Sequence, residues 1–81
     1  MTRSDILDMM NALMKRRGRE PITDESQTTR AVNFRSLDFS EVALRIEAEI
    51  DRELSFDAAS MRRIETVKDV LDFFEEAIRP A

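Results

Sequence analysis

Ser36 is the residue whose type and position could best support chemistry. It stands where a long polar stretch gives way to an apolar-periodic run, between Phe34 and Leu37. Two roles fit that position. Serine is among the best helix N-caps. A hydroxyl at a helix start also lies beside unpaired backbone N–H groups and the positive end of the dipole, where an attached phosphodiester is electrostatically favoured. The chain has no His and no Cys. A His-activated serine, a thiol nucleophile, a conventional zinc site and a disulfide framework are therefore all excluded. Acid–base work near neutral pH would fall to carboxylates or lysines with strongly shifted pKa values, and 81 residues offer little interior to shift them in. The expectation is a chain with no catalytic residue and no metal site of its own, in which any activation of Ser36 comes from a separate enzyme.

The elements that must hold Ser36 read as helices. One Gly and two Pro are too few for a β-rich domain. Over residues 3–17, Ile6, Met9, Met10, Leu13 and Met14 recur at helical spacing, with Leu7 beside them. Thr2 or Ser4 can cap this helix, and Gly18 follows it as a stop. Residues 18–35 lose periodicity and read as a long polar loop with apolar anchors at Ile22, Val32 and Phe34, the Pro21-Ile22 step tucking back onto the core. Residues 36–54 are the most strongly helical stretch. Phe39, Val42, Ala43, Ile46 and Ile50 form its core face, while Leu37, Leu44 and Ala48 form a second, narrower stripe. That stripe either packs under the long loop or faces a partner. Ser55 or Asp57 can cap a single turn through Ala58, Ala59 and Met61, with Phe56 and Ile64 as anchors. Thr66-Val67-Lys68-Asp69 has capping-box form and opens a last helix over 66–79, ended by Pro80. Its apolar face holds Val67, Val70, Leu71, Phe74 and Ile78. The expected fold is all-α, a small four-helix bundle of three main helices and a short third one, in a single domain over 1–81.

Thirteen Lys and Arg against seventeen Asp and Glu leave a net charge of −4. Within 36–54 six acids face two bases, and 2 − 6 = −4, so this helix alone matches the net charge of the chain. The basic run Lys15-Arg16-Arg17-Gly18-Arg19 reads as cations complementing a helix C-terminus. No aromatic lies among them to stack on bases, so nucleic acid is not an expected partner. No 18-residue apolar run and no secretory h-region are present, so neither a membrane nor export is expected, and the expected setting is cytoplasmic, as a monomer.

From Val32 to Phe74 the chain resembles the acyl carrier proteins. The resemblance rests on Val32-Asn33-Phe34-Arg35-Ser36-Leu37-Asp38, on Glu41-Val42, Glu47-Ala48-Glu49 and Glu53-Leu54, and on Ile64-Glu65-Thr66-Val67, similar to the I-x-T-V that opens the last helix of that family. It implies a four-helix bundle carrying 4′-phosphopantetheine on Ser36, attached by a phosphopantetheinyl transferase, with acyl groups tethered as thioesters on the arm. It also implies that acyl-loading and acyl-processing enzymes, of ligase, ketosynthase or acyltransferase type, meet the surface of Leu37, Asp38, Glu41 and Leu44. Arg35 and Arg45 add positive charge to that surface. Phe34, Val42, Ile46, Ile50, Val67 and Leu71 would line the core and any acyl-holding cavity. The chain departs from the family's Asp-Ser-Leu signature by carrying Arg35 before the serine, and Asn33 at a position often Gly. Its spacing from Ser36 to I-x-T-V is one residue longer than the commonest pattern. These departures point to dedicated partner enzymes in a specialised biosynthetic pathway, polyketide, fatty-acid-like or mixed, with the helix carboxylates steering docking onto basic enzyme surfaces. The alternatives are an aminoacyl or peptidyl carrier, and an unmodified helical interaction module using the Leu37/Leu44/Ala48 stripe.

Overall fold

The computed structural model describes residues 1–79, which form four helices and no strand: α1 (Arg3–Arg16), α2 (Ser36–Ile50), α3 (Ala58–Arg62) and α4 (Val67–Ile78). Among these residues no helix is long and apolar enough to cross a membrane. The bundle forms because α1 buries Ile6, Met10, Leu13 and Met14 against both α2 and α4. Phe39, Val42, Ala43 and Ile46 of α2 and Val67, Val70, Leu71 and Phe74 of α4 complete the core, as the apolar periodicity predicts. Phe39 joins the two sides. Its ring stacks on Phe74 at 4.7 Å and meets Phe73 and Phe56 edge-on at 5.4 and 5.9 Å.

Caps set the ends. The Thr2 hydroxyl accepts from the Asp5 N–H and the Asp5 carboxylate from the Thr2 N–H, closing a capping box on α1. At the other end Gly18, at φ 70°, lets the Arg19 N–H reach the Met14 carbonyl (2.8 Å) and its own N–H the Lys15 carbonyl (3.0 Å), the Schellman pattern. Thr66 caps α4 with Asp69 as its box partner, as expected from sequence. Asp57, one of the two candidate residues, caps α3. Helix α2 stops four residues before the expected end at 54. Asp51 turns left-handed at φ 54°, because Leu54 must come back to the core and the Glu47 carboxylate accepts its N–H at 2.7 Å. Pro80, expected to end α4, lies outside the described residues.

The stretch 18–35 is a loop held by its apolar anchors, as read from sequence, and by backbone turns that the sequence does not show. Asn11 clamps Ile22 through both its amide atoms, at 2.7 and 3.4 Å, and Ile22 is buried as anticipated. Further on, the Phe34 N–H bonds the Thr29 carbonyl and the Asn33 N–H the Arg30 carbonyl, while Asn33 sits at φ 61°. This repeats the turn that closes α1, with Asn in place of Gly, the commonest substitute in that conformation. Aperiodic sequence hides such backbone-held turns because their partners are carbonyls, not side-chain types.

Candidate functional site

Ser36 is the first helical residue of α2 and is exposed. It is not the N-cap. That position belongs to Arg35, whose side chain has no acceptor to offer. The start of α2 is held instead by Asp38. Its carboxylate accepts the Arg35 N–H at 2.7 Å and is gripped by the guanidinium groups of Arg17 and Arg19, the latter at 2.7 Å. Asp38 is fully buried. Burial by itself pushes the carboxyl pKa up, but the Arg35 N–H and the two guanidinium groups outweigh it and hold the group below the usual aspartate value. The Schellman turn at Gly18 delivers Arg19 to this spot, and the Arg19 side chain also donates to the Asn33 carbonyl at 2.9 Å. Asn33 in turn accepts from Arg35 Nε at 2.8 Å. The residue before Ser36 is thus tied at its backbone by Asp38 and at its side chain by Asn33. Among the described residues nothing in the chain accepts from the N–H groups of Ser36 and Leu37, and the Ser36 hydroxyl makes no hydrogen bond.

A cleft of about 550 Å³ opens beside Ser36. Phe34, Phe39 and Val70, all buried, form its floor, with Met61 and Ile64 from the α3 region on one side and Arg30 and Arg35 at the rim. The cavity lining expected from sequence is therefore corrected. Of that set only Phe34 lines the cleft; Val42, Ile46, Val67 and Leu71 are spent on the α1–α2–α4 core and Ile50 packs against it.

The six residues expected to meet partners divide. Leu37 and Leu44 are 77% and 66% exposed, so their stripe does not pack under the loop. Arg35 is exposed and Arg45 half-buried. Glu41 is half-buried and pairs with Arg16 at 3.0 Å and Arg17 at 3.6 Å. Asp38 must be withdrawn as a partner contact, since it has no exposed surface. Sequence reasoning missed Arg17, Arg19 and Arg30. The basic run after α1 does include Lys15 and Arg16 in the last helical turn, but Arg17 and Arg19 serve α2. The available signal was Asp38 itself, a carboxylate on the edge of an apolar arc that only a nearby cation could satisfy. Comparison with protein-family models, curated proteins and solved structures yields no match to this chain.

Proposed function

We propose that this chain is a discrete carrier protein, modified on Ser36 by 4′-phosphopantetheine and presenting acyl cargo to partner enzymes in a specialised biosynthetic pathway. The observation that carries the reading is an exposed, unbonded hydroxyl in the first turn of a helix whose leading N–H groups are free, beside an apolar-floored cleft. The residues present suit a phosphodiester. The N–H groups of Ser36 and Leu37 and the positive end of α2 favour an anion, and Arg30 and Arg35 flank it with guanidinium charge. When bound, the group supplies a long flexible arm ending in a thiol, which accords with a chain that has no cysteine. The left-handed Asn33 also supports the resemblance, since the related position is often Gly and both residues tolerate that conformation. An arm fixed at one point raises the effective concentration of its cargo at each docked active site.

Incubation with coenzyme A, magnesium and a promiscuous phosphopantetheinyl transferase, followed by intact mass, tests the reading. A gain of one phosphopantetheine that disappears in Ser36→Ala is expected. Arg35→Asp, which restores the family's charge before the serine, is expected to speed modification by a general transferase. No gain with several transferases overturns the carrier reading. The exposed Leu37/Leu44 stripe would then favour an unmodified interaction module.

A further inference from the structure

Sequence alone assigns the whole net charge to α2 and its C-terminal extension, as an acidic docking surface. In the folded chain that charge is divided between two ends. Around the first two turns of α2, five guanidinium groups meet two carboxylates. Arg17 and Arg19 hold Asp38, Arg16 and Arg17 pair with Glu41, and Arg30 and Arg35 border Ser36 without an ion pair among the described residues. The local balance is 5 − 2 = +3. Asp38 adds nothing to the outer surface, because it is fully buried. Arg45, one turn beyond Glu41, also has no ion pair among the described residues. The exposed acids Glu49, Asp51 and Glu53 lie at the other end. A rise of 1.5 Å per residue sets Glu49 roughly 20 Å from Ser36 along the helix, about two Debye lengths at ordinary ionic strength. They contribute little to the field that a docking partner meets at Ser36.

We infer that the surface around Ser36 takes an acidic partner: a protein face that presents carboxylates around an apolar depression able to cover Leu37 and Leu44. The two leucines stand on the solvent face of α2 and supply apolar area, while Arg30, Arg35 and Arg45 supply the rim. This reverses the polarity expected from the helix's charge count. Nucleic acid, the other polyanion, fits less well, since the patch centres on the aliphatic Leu37 and Leu44, and the partly exposed Phe56 is already packed on Phe39 and Phe73. The inference rests on the carrier reading only for why partners must approach Ser36; the charge distribution stands by itself.

The test is a titration of the isotopically labelled full chain with two helical peptides that share one apolar face, one rimmed by glutamate and the other by lysine, read from amide chemical shifts. The glutamate peptide is expected to bind at least about tenfold tighter, to shift the amides of Arg35, Leu37, Leu44 and Arg45, and to weaken as salt is raised. The exposed pair Arg30→Glu/Arg35→Glu is expected to reverse the preference while circular dichroism stays unchanged. Should that pair not fold, the single Arg35→Gln, outside the buried cluster, is expected to narrow the preference. Equal or weaker binding of the glutamate peptide, no binding at all, shifts centred on Glu49–Glu53, or tighter binding of a single-stranded DNA oligonucleotide would each overturn the inference. The titration needs no attached cofactor. Its failure therefore removes the acidic partner and leaves the carrier reading intact, whereas an absent mass gain at Ser36 removes the carrier reading alone.

Discussion

The starts of α2 and α4 carry aspartate at the same third helical position and are secured by opposite means. At α4 the chain closes every leading N–H. Val67 donates to the Gln27 carbonyl at 2.9 Å, Lys68 to the Glu25 carbonyl at 2.8 Å and Asp69 to the Thr66 hydroxyl at 3.1 Å, while the Asp69 carboxylate accepts from Glu65 and Thr66. At α2 the N-cap is an arginine, the first N–H groups are left free, and stability comes from a buried carboxylate between two guanidinium groups. One start is built for permanence and the other is left available at its tip. The difference has two sources: the Gln27 and Glu25 carbonyls, which cover the first two N–H groups of α4 and have no counterpart at α2, and the cap residue, Thr66 against Arg35.

The comparison is sharpened most by removing the two aspartates. Asp38→Ala is expected to cost about 2–3 kcal/mol, because the Arg35 N–H loses its acceptor and Arg17 and Arg19 lose their buried carboxylate, keeping only Glu41 and the Asn33 carbonyl. Asp69→Ala loses only half a capping box and is expected to cost about 1 kcal/mol. Denaturant unfolding that returns equal losses would show that both starts rely on local capping alone. Acid is the next probe. Asp38 and Asp69 are both held below the ordinary carboxyl value in the folded chain, Asp38 against its own burial and Asp69 by the Glu65 and Thr66 N–H groups. The unfolded chain therefore binds protons first as pH falls. Stability is full above about pH 4 and drains below it, through the depressed folded values. The acid loss is expected to shrink in Asp38→Ala, as followed by unfolding midpoints across that range.

A smaller effect of opposite sign is expected at the cap itself. Arg35→Thr gives α2 the hydroxyl acceptor that α4 already has and is expected to stabilise by about 0.5–1 kcal/mol. Smallest of all is Ser36→Ala. As the first helical residue and not the cap, Ser36 is expected to be worth less than about 0.5 kcal/mol, against about 1 kcal/mol if its hydroxyl capped the helix. A larger loss in thermal unfolding would return Ser36 to a structural role.

The helices were legible because their apolar spacing is a property of neighbouring residues. Val70, Leu71 and Phe74 on α4 and Val42 and Ile46 on α2 declare their buried face without reference to anything distant. Thr66 and Asp57 were legible for the same reason, as caps act within one turn. The setting of Ser36 was less so. Its exposure and its place in the first turn follow from local pattern, but its neighbours do not. Arg19 reaches Asp38 only because Gly18 reverses the chain, and a sequence count cannot tell a buried carboxylate from a solvated one. Net charge by element accordingly did not show that arginines from the end of α1 and the following loop gather around the start of α2. Leu54 and Asp51 show the same limit, since a helical pattern continued past the point where the core required the chain to turn.

Helix α3 is five residues long and has no buried residue, yet its Met61 stands at the wall of the cleft beside Ser36. Amide hydrogen exchange should therefore find its protons leaving through small local openings, while those of Val67 and Lys68, sealed by loop carbonyls, wait for much larger ones. The cleft thus has the buried Phe34, Phe39 and Val70 as its floor and the thinly packed α3 at one wall. Entry of a guest would then be timed by the opening of α3, and any guest that lingers would announce itself by slowing exchange there first.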